Sequence, residues 1–159
     1  MRIKLVTVGK IKEKYFVMAI DEYSKRLRRY CKIEIVEVAD EQTPDHASLL
    51  METQIKEKEA LRILKHVKDD SYVITLEIAG SSLNSTELAD KMNKLGVTGR
   101  SDITFIIGGS LGLHDIISQR ADFKLSFSKM TFPHQMMRMI LLEQIYRSYR
   151  INQNEPYHK

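Results

Sequence analysis

Residues 101–128, SDITFIIGGSLGLHDIISQRADFKLSFS, decide the fold. DITFIIGG (102–109), mostly apolar and ending on two glycines, reads as the strongest buried strand of the chain. A glycine loop follows, then a short helix through Ile116 and Ile117, then a further strand, FKLSFS (123–128). The same alternation extends outward in both directions. IKLVTVG (3–9) reads as a first strand, and Phe16, Ile20, Tyr23, Leu27 and Tyr30 recur at helical spacing. KIEIVEVA (32–39) alternates with period two, which predicts a strand near a sheet edge. Residues 47–67 read as a second helix and YVITLEI (72–78) as a third strand, followed by a loop, AGSSLNS. Ser85 is placed to cap a helix carrying Leu88, Met92 and Leu95, stopped by Gly96 or Gly99.

The last helix is expected to begin at Pro133. Nine of the fourteen residues from Met136 to Tyr149 are apolar, too many for one stripe, so a second covering surface is needed and a homodimer is expected. Strand–helix alternation throughout predicts one α/β domain over residues 1–159, a mostly parallel sheet with helices on both faces. Ligands of such sheets sit beyond the carboxyl ends of the strands, which singles out the loops after Ile78, Ile107 and Phe127.

Composition bounds the function. The 159 residues are 43% hydrophobic and 29% charged, and no apolar run approaches the length of a membrane helix. Lysines interrupt the N-terminal stretch, so it does not read as a signal peptide, and a cytoplasmic location is expected. The single Cys31 excludes an internal disulfide framework. The five histidines show no metal-ligand spacing, and no metal is expected. Net charge is only +4, but residues 2–32 carry ten basic and three acidic side chains. Lys25, Arg26, Arg28 and Arg29, beside Tyr23 and Tyr30, form either a phosphate-binding patch or a solvated helix face.

Two stretches carry candidate chemistry. Gly108-Gly109-Ser110-Leu111-Gly112 matches the nucleophile-elbow pattern, which would make Ser110 a hydrolase nucleophile served by Asp115 or Asp122 and His134 or His158. The loop lacks a Walker lysine, so its glycines fit better a close approach to an uncharged ligand surface, or a plain tight turn. At the C-terminus, Arg147, Arg150, Tyr157 and His158 gather within twelve residues, with guanidinium, phenol and imidazole groups suited to a nucleic-acid base and its phosphates.

ITLEIAG (74–80), FIIGGSLGL (105–113), MTFPHQMMRMILLEQIYRS (130–148) and NEPYHK (154–159) together resemble the signature stretches of the ribosomal RNA large subunit methyltransferase H family. The resemblance implies a SPOUT-type fold with a C-terminal trefoil knot, a homodimer and S-adenosylmethionine as cofactor. It implies methylation at N3 of a pseudouridine in the helix 69 hairpin of 23S rRNA, on the assembled 70S ribosome rather than on DNA or at a membrane. Carried over by motif, the cofactor site comprises Leu76, Gly108, Phe127, Ser128, Lys129, Met130, Thr131 and Phe132. Arg147, Arg150, Tyr157 and His158 form the catalytic, substrate-facing set. Some members carry a Pro-Glu pair where this chain has Ser110-Leu111, so no acid in that loop is assigned a role. A non-catalytic ribosome-binding factor with a lapsed pocket is the competing expectation.

Overall fold

A computed structural model describes all 159 residues. Five strands, β1 (Arg2–Val8), β2 (Lys32–Val38), β3 (Tyr72–Ser82), β4 (Asp102–Ile107) and β5 (Phe123–Ser126), form one sheet in the order β2-β1-β4-β3-β5, every pair parallel. The helices are α1 (Lys14–Leu27), α2 (Leu49–Leu64), α3 (Ser85–Val97), α4 (Asp115–Arg120) and α5 (His134–Asn152). The steps β1→β2 and β3→β4 run one way across the sheet through α1 and α3, and both helices pack on α5. The steps β2→β3 and β4→β5 run the other way through α2 and α4, which pack on each other. Opposite directions on opposite faces give all four crossovers one hand, as the crossover rule for parallel strands requires.

Strand pleating divides the core in two. Leu5, Ile74 and Phe105 meet Ile20, Leu88, Met92, Leu141 and Ile145 on the face of α1, α3 and α5. Their neighbours Val6, Val73 and Ile106 meet Ala60, Ile63 and Ile117 on the face of α2 and α4. The expected edge position of β2 is what the sheet shows.

Three expectations are corrected. The stretch after Ile78 is strand, not loop, because Ser81 and Ser82 resume pairing with β5. Residues 77–80 arch out between the two paired segments, and a Cβ on Gly80 would lie 2.7 Å from the Lys124 carbonyl oxygen. The cap of α3 is Asn84, whose side chain accepts from Glu87 N while the Glu87 carboxylate accepts from Asn84 N. Pro133 is likewise the residue before α5 rather than its first turn. The polar tail is turn and loop, and it folds back on the chain: Glu155 N donates to Arg150 O and the Glu155 carboxylate accepts from Tyr30 and Arg29.

Candidate active site

At the carboxyl ends of β3, β4 and β5 lies a cleft of about 320 Å³, within the size range of small-molecule sites. Leu76, Gly108, Phe127, Ser128, Met130, Thr131 and Phe132 all line it. Lys129 does not. Ser128 Oγ accepts from Met130 N (2.9 Å), and this tight turn leaves Lys129 exposed, away from the wall. Gly108 is required by contact: a Cβ there would lie 2.8 Å from the carbonyl carbon of Gly112, across a turn closed by Gly112 N donating to Gly109 O (3.1 Å).

Sequence reasoning missed Glu77 and Met137 on this wall, and gave His134 only a hydrolase role. Glu77 Oε1 accepts from Thr75 Oγ1 (2.7 Å) and Ser118 Oγ (2.8 Å). His134 opens α5; its Nδ1 is buried without a partner in the chain, and burial, reinforced by the Arg138 charge, pushes its pKa down. Arg138, one turn further, is buried at 1% exposure. Its guanidinium donates to Glu37 Oε2 (2.7 Å) and to the carbonyls of Val8 (2.7 Å) and Gly9 (2.8 Å), pinning the start of α5 to the ends of β1 and β2.

These residues fit an adenosyl ligand. The wall is apolar around exposed backbone groups, Gly108 leaves room where a side chain would protrude, and an orphaned imidazole nitrogen awaits a partner. No lysine or arginine lines the cleft, so nothing there selects a phosphate. The Ser110 hydrolase reading loses its parts. Asp122 sits at the opposite end of the sheet, its carboxylate accepting from Val73 N (2.7 Å). Ser110 lies in a turn, and α4 begins only at Asp115, so no helix follows to hold an elbow. Nor do any three His, Cys, Asp or Glu side chains gather at metal-binding distance.

The second cluster lies on the later turns of α5. Arg147 donates to Glu143 Oε1 through Nη2 (2.6 Å) and Nε (3.1 Å), and Tyr157 Oη donates to the same oxygen (3.0 Å). His158 Nδ1 lies 3.3 Å from Arg147 Nη1. Arg150 Nε is 2.7 Å from Glu155, its Nη1 donates to Tyr146 Oη (2.7 Å), and the guanidiniums of Arg147 and Arg150 stack on Tyr157. All four C-terminal residues are therefore brought together, with Glu143 as a hub that sequence reading did not single out. The structure also joins this cluster to the basic end of α1: Arg26 stacks on Tyr23 and Tyr146, and Arg29 pairs with Glu155. Burial and the bond to Glu143 push the Tyr157 phenol well above the ordinary tyrosine range. Burial likewise pushes the Cys31 thiol up, which makes it structural despite the basic helix before it.

The chain is a methyltransferase of the SPOUT class: the model of the family described as "Predicted SPOUT methyltransferase" matches residues 1–158, in keeping with the five-stranded parallel sheet and the cleft at its carboxyl ends. A probable methylase family protein from Haemophilus influenzae Rd KW20 shares the fold, with a TM-score of 0.56 at 14% identity over 99% of this chain and 70% of that one. More narrowly, the chain belongs to the ribosomal RNA large subunit methyltransferase H family. It is 65% identical to the protein of that name from Bifidobacterium adolescentis and 59% identical to that from Clostridium botulinum, each over the full length of both chains.

Proposed function

We propose that this protein, as a cytoplasmic homodimer, transfers a methyl group from S-adenosylmethionine to N3 of a pseudouridine in the helix 69 hairpin of 23S rRNA on the assembled 70S ribosome. The names of its relatives support a large-subunit rRNA substrate. One observation carries the dimeric site. Met137, the last α5 residue on the cleft, and Arg147 in the cluster are ten positions apart, about 15 Å along the helix axis. Methyl transfer needs reacting atoms at about 3–3.5 Å, and this separation supports a site in which one chain's cluster serves another chain's cleft. The half-buried Met136, Met139 and Ile140 on α5 give a partner an apolar surface to cover. The trefoil knot belongs to the same reading, and the arch of residues 77–80 between the two β3 segments paired with β5 supports it.

The bound cofactor would supply an electrophilic methyl group. The chain's own residues orient the acceptor. Arginine only donates, so in the contact with Arg147 the His158 Nδ1 accepts and the neutral ring carries its hydrogen on Nε2. His158 Nε2–H, Arg147 and Arg150 then offer donors to the imide oxygens flanking N3, where negative charge develops as its proton leaves to water at the exposed rim. Tyr157, held neutral and donating to Glu143, presents its ring rather than acting as a base. Alanine at both Tyr157 and His158 should lower turnover by about 100-fold or more with cofactor binding intact; unchanged turnover would refute the assignment.

The direct test is incorporation from labelled S-adenosylmethionine into ribosomes of a strain lacking this activity, with 70S particles, isolated large subunits and free rRNA in parallel. Product at N3 of a pseudouridine, strongest on 70S, is expected. Incorporation on free RNA alone would overturn the assembled-ribosome substrate. No incorporation anywhere, with cofactor bound, would make the protein a non-catalytic ribosome-binding factor.

A further inference from the structure

The cleft contains one carboxylate, Glu77, and no lysine or arginine. Both hydroxyls that touch it, Thr75 Oγ1 and Ser118 Oγ, donate to the same oxygen, Oε1. Oε2 has no donor within the chain, and none of the chain's ion pairs includes Glu77. A carboxylate pinned by one oxygen and left open at the other, in a mostly apolar wall, is arranged for a cation that the protein itself does not supply.

Resting on the cofactor reading above, we propose that Glu77 is the specificity residue for the α-ammonium group of the adenosyl ligand's amino-acid moiety. S-adenosylmethionine carries two cationic groups, the sulfonium and the α-ammonium. The sulfonium loses its charge as the methyl departs, so a carboxylate set against it would favour the ground state over the transition state and slow the reaction. The ammonium keeps its charge throughout. A carboxylate there holds substrate and product forms equally and leaves the barrier alone. Thr75, at the last β3 position paired with β4, and Ser118 on α4 act through Glu77: they fix the rotamer that keeps Oε2 open.

Glu77→Gln keeps both hydroxyl contacts, because the amide oxygen still accepts them, and removes only the charge. Calorimetry on the intact protein would compare S-adenosylmethionine, S-adenosylhomocysteine and 5′-methylthioadenosine, which lacks the amino-acid moiety. The expected result is a weakening of the first two by a common factor of about 10- to 100-fold, the scale of a charge-assisted hydrogen bond, with 5′-methylthioadenosine unchanged. Ser118→Ala should reproduce a smaller, equally ligand-selective loss. Weakening of S-adenosylmethionine alone would place the carboxylate on the sulfonium and overturn the proposal. Equal weakening of all three would make Glu77 a wall residue, and no change in any would leave it no ligand role; both outcomes overturn it. If the unmutated protein binds none of the three, the cofactor reading itself fails, which is a distinct result.

Discussion

Replacing Arg138 with methionine tests how α5 is attached to the sheet. The side chain is 1% exposed and supplies the carbonyls of Val8 and Gly9 and the carboxylate of Glu37 with charged donors. Removing one partner of a buried pair typically costs 3–5 kcal/mol. Here the loss falls at the lower end, because the Glu37 side chain is 36% exposed, keeps the bond from Ile11 N and regains water. The two carbonyls lose donors without access to solvent, and methionine restores only the packing. We expect about 3 kcal/mol, and for a chain of this size a fall in Tm of about 6–12 °C. With no tryptophan in the chain, far-UV circular dichroism in urea and on heating is the suitable assay. Adding Glu37→Gln removes the stranded charge, so the double variant should be about 1–2 kcal/mol more stable than additivity allows. A loss below about 1 kcal/mol for Arg138→Met, or strict additivity, would refute the clamp.

Gly108→Ala forces a methyl group to 2.8 Å from the Gly112 backbone, so the loop must shift into the cleft; adenosyl-ligand affinity should drop by at least about tenfold in calorimetry while the far-UV spectrum is retained. Glu59 is 6% exposed and burial raises its carboxyl pKa, so the folded chain holds that proton more tightly than the unfolded chain. Wild-type stability is then greatest below the ordinary glutamate value and declines as pH rises through the raised one. The Tm advantage of Glu59→Gln should therefore grow between about pH 4 and pH 8, and a constant difference would count against it. Asn84→Ala removes one half of a capping box at an exposed helix start and should cost about 1 kcal/mol by urea titration.

The strands with the clearest hydrophobic pattern are the interior ones, β1 and β4, where both faces are covered and most positions are buried and apolar. The continuation of β3 was hidden because Gly80, Ser81 and Ser82 carry no apolar signal; the pairing of the two serines comes from β5, more than forty residues on. Tyr30 follows the α1 stripe in sequence, yet the helix ends at Leu27, and the ring stacks on Tyr149 of α5 instead. On the site, the three segments that line the cleft and the C-terminal set were legible, the segments from the strand-end rule, although the first of them is strand rather than loop, and the set from residue chemistry. Arg138 and Glu143 were not, because an arginine in an amphipathic helix reads as solvent-facing until the neighbouring strand ends that receive it are known. Lys129 was placed in the site by its neighbours, and a local turn excluded its side chain.

Every wall of the cleft between Leu125 and Met137, and every residue of the arginine–tyrosine cluster on α5 and the tail, is translated after α4. A chain released early keeps four of its five strands and has no assembled pocket to load. The parts that would hold the cofactor and orient the substrate are therefore the last to leave the template-reading machine that is also the protein's proposed target.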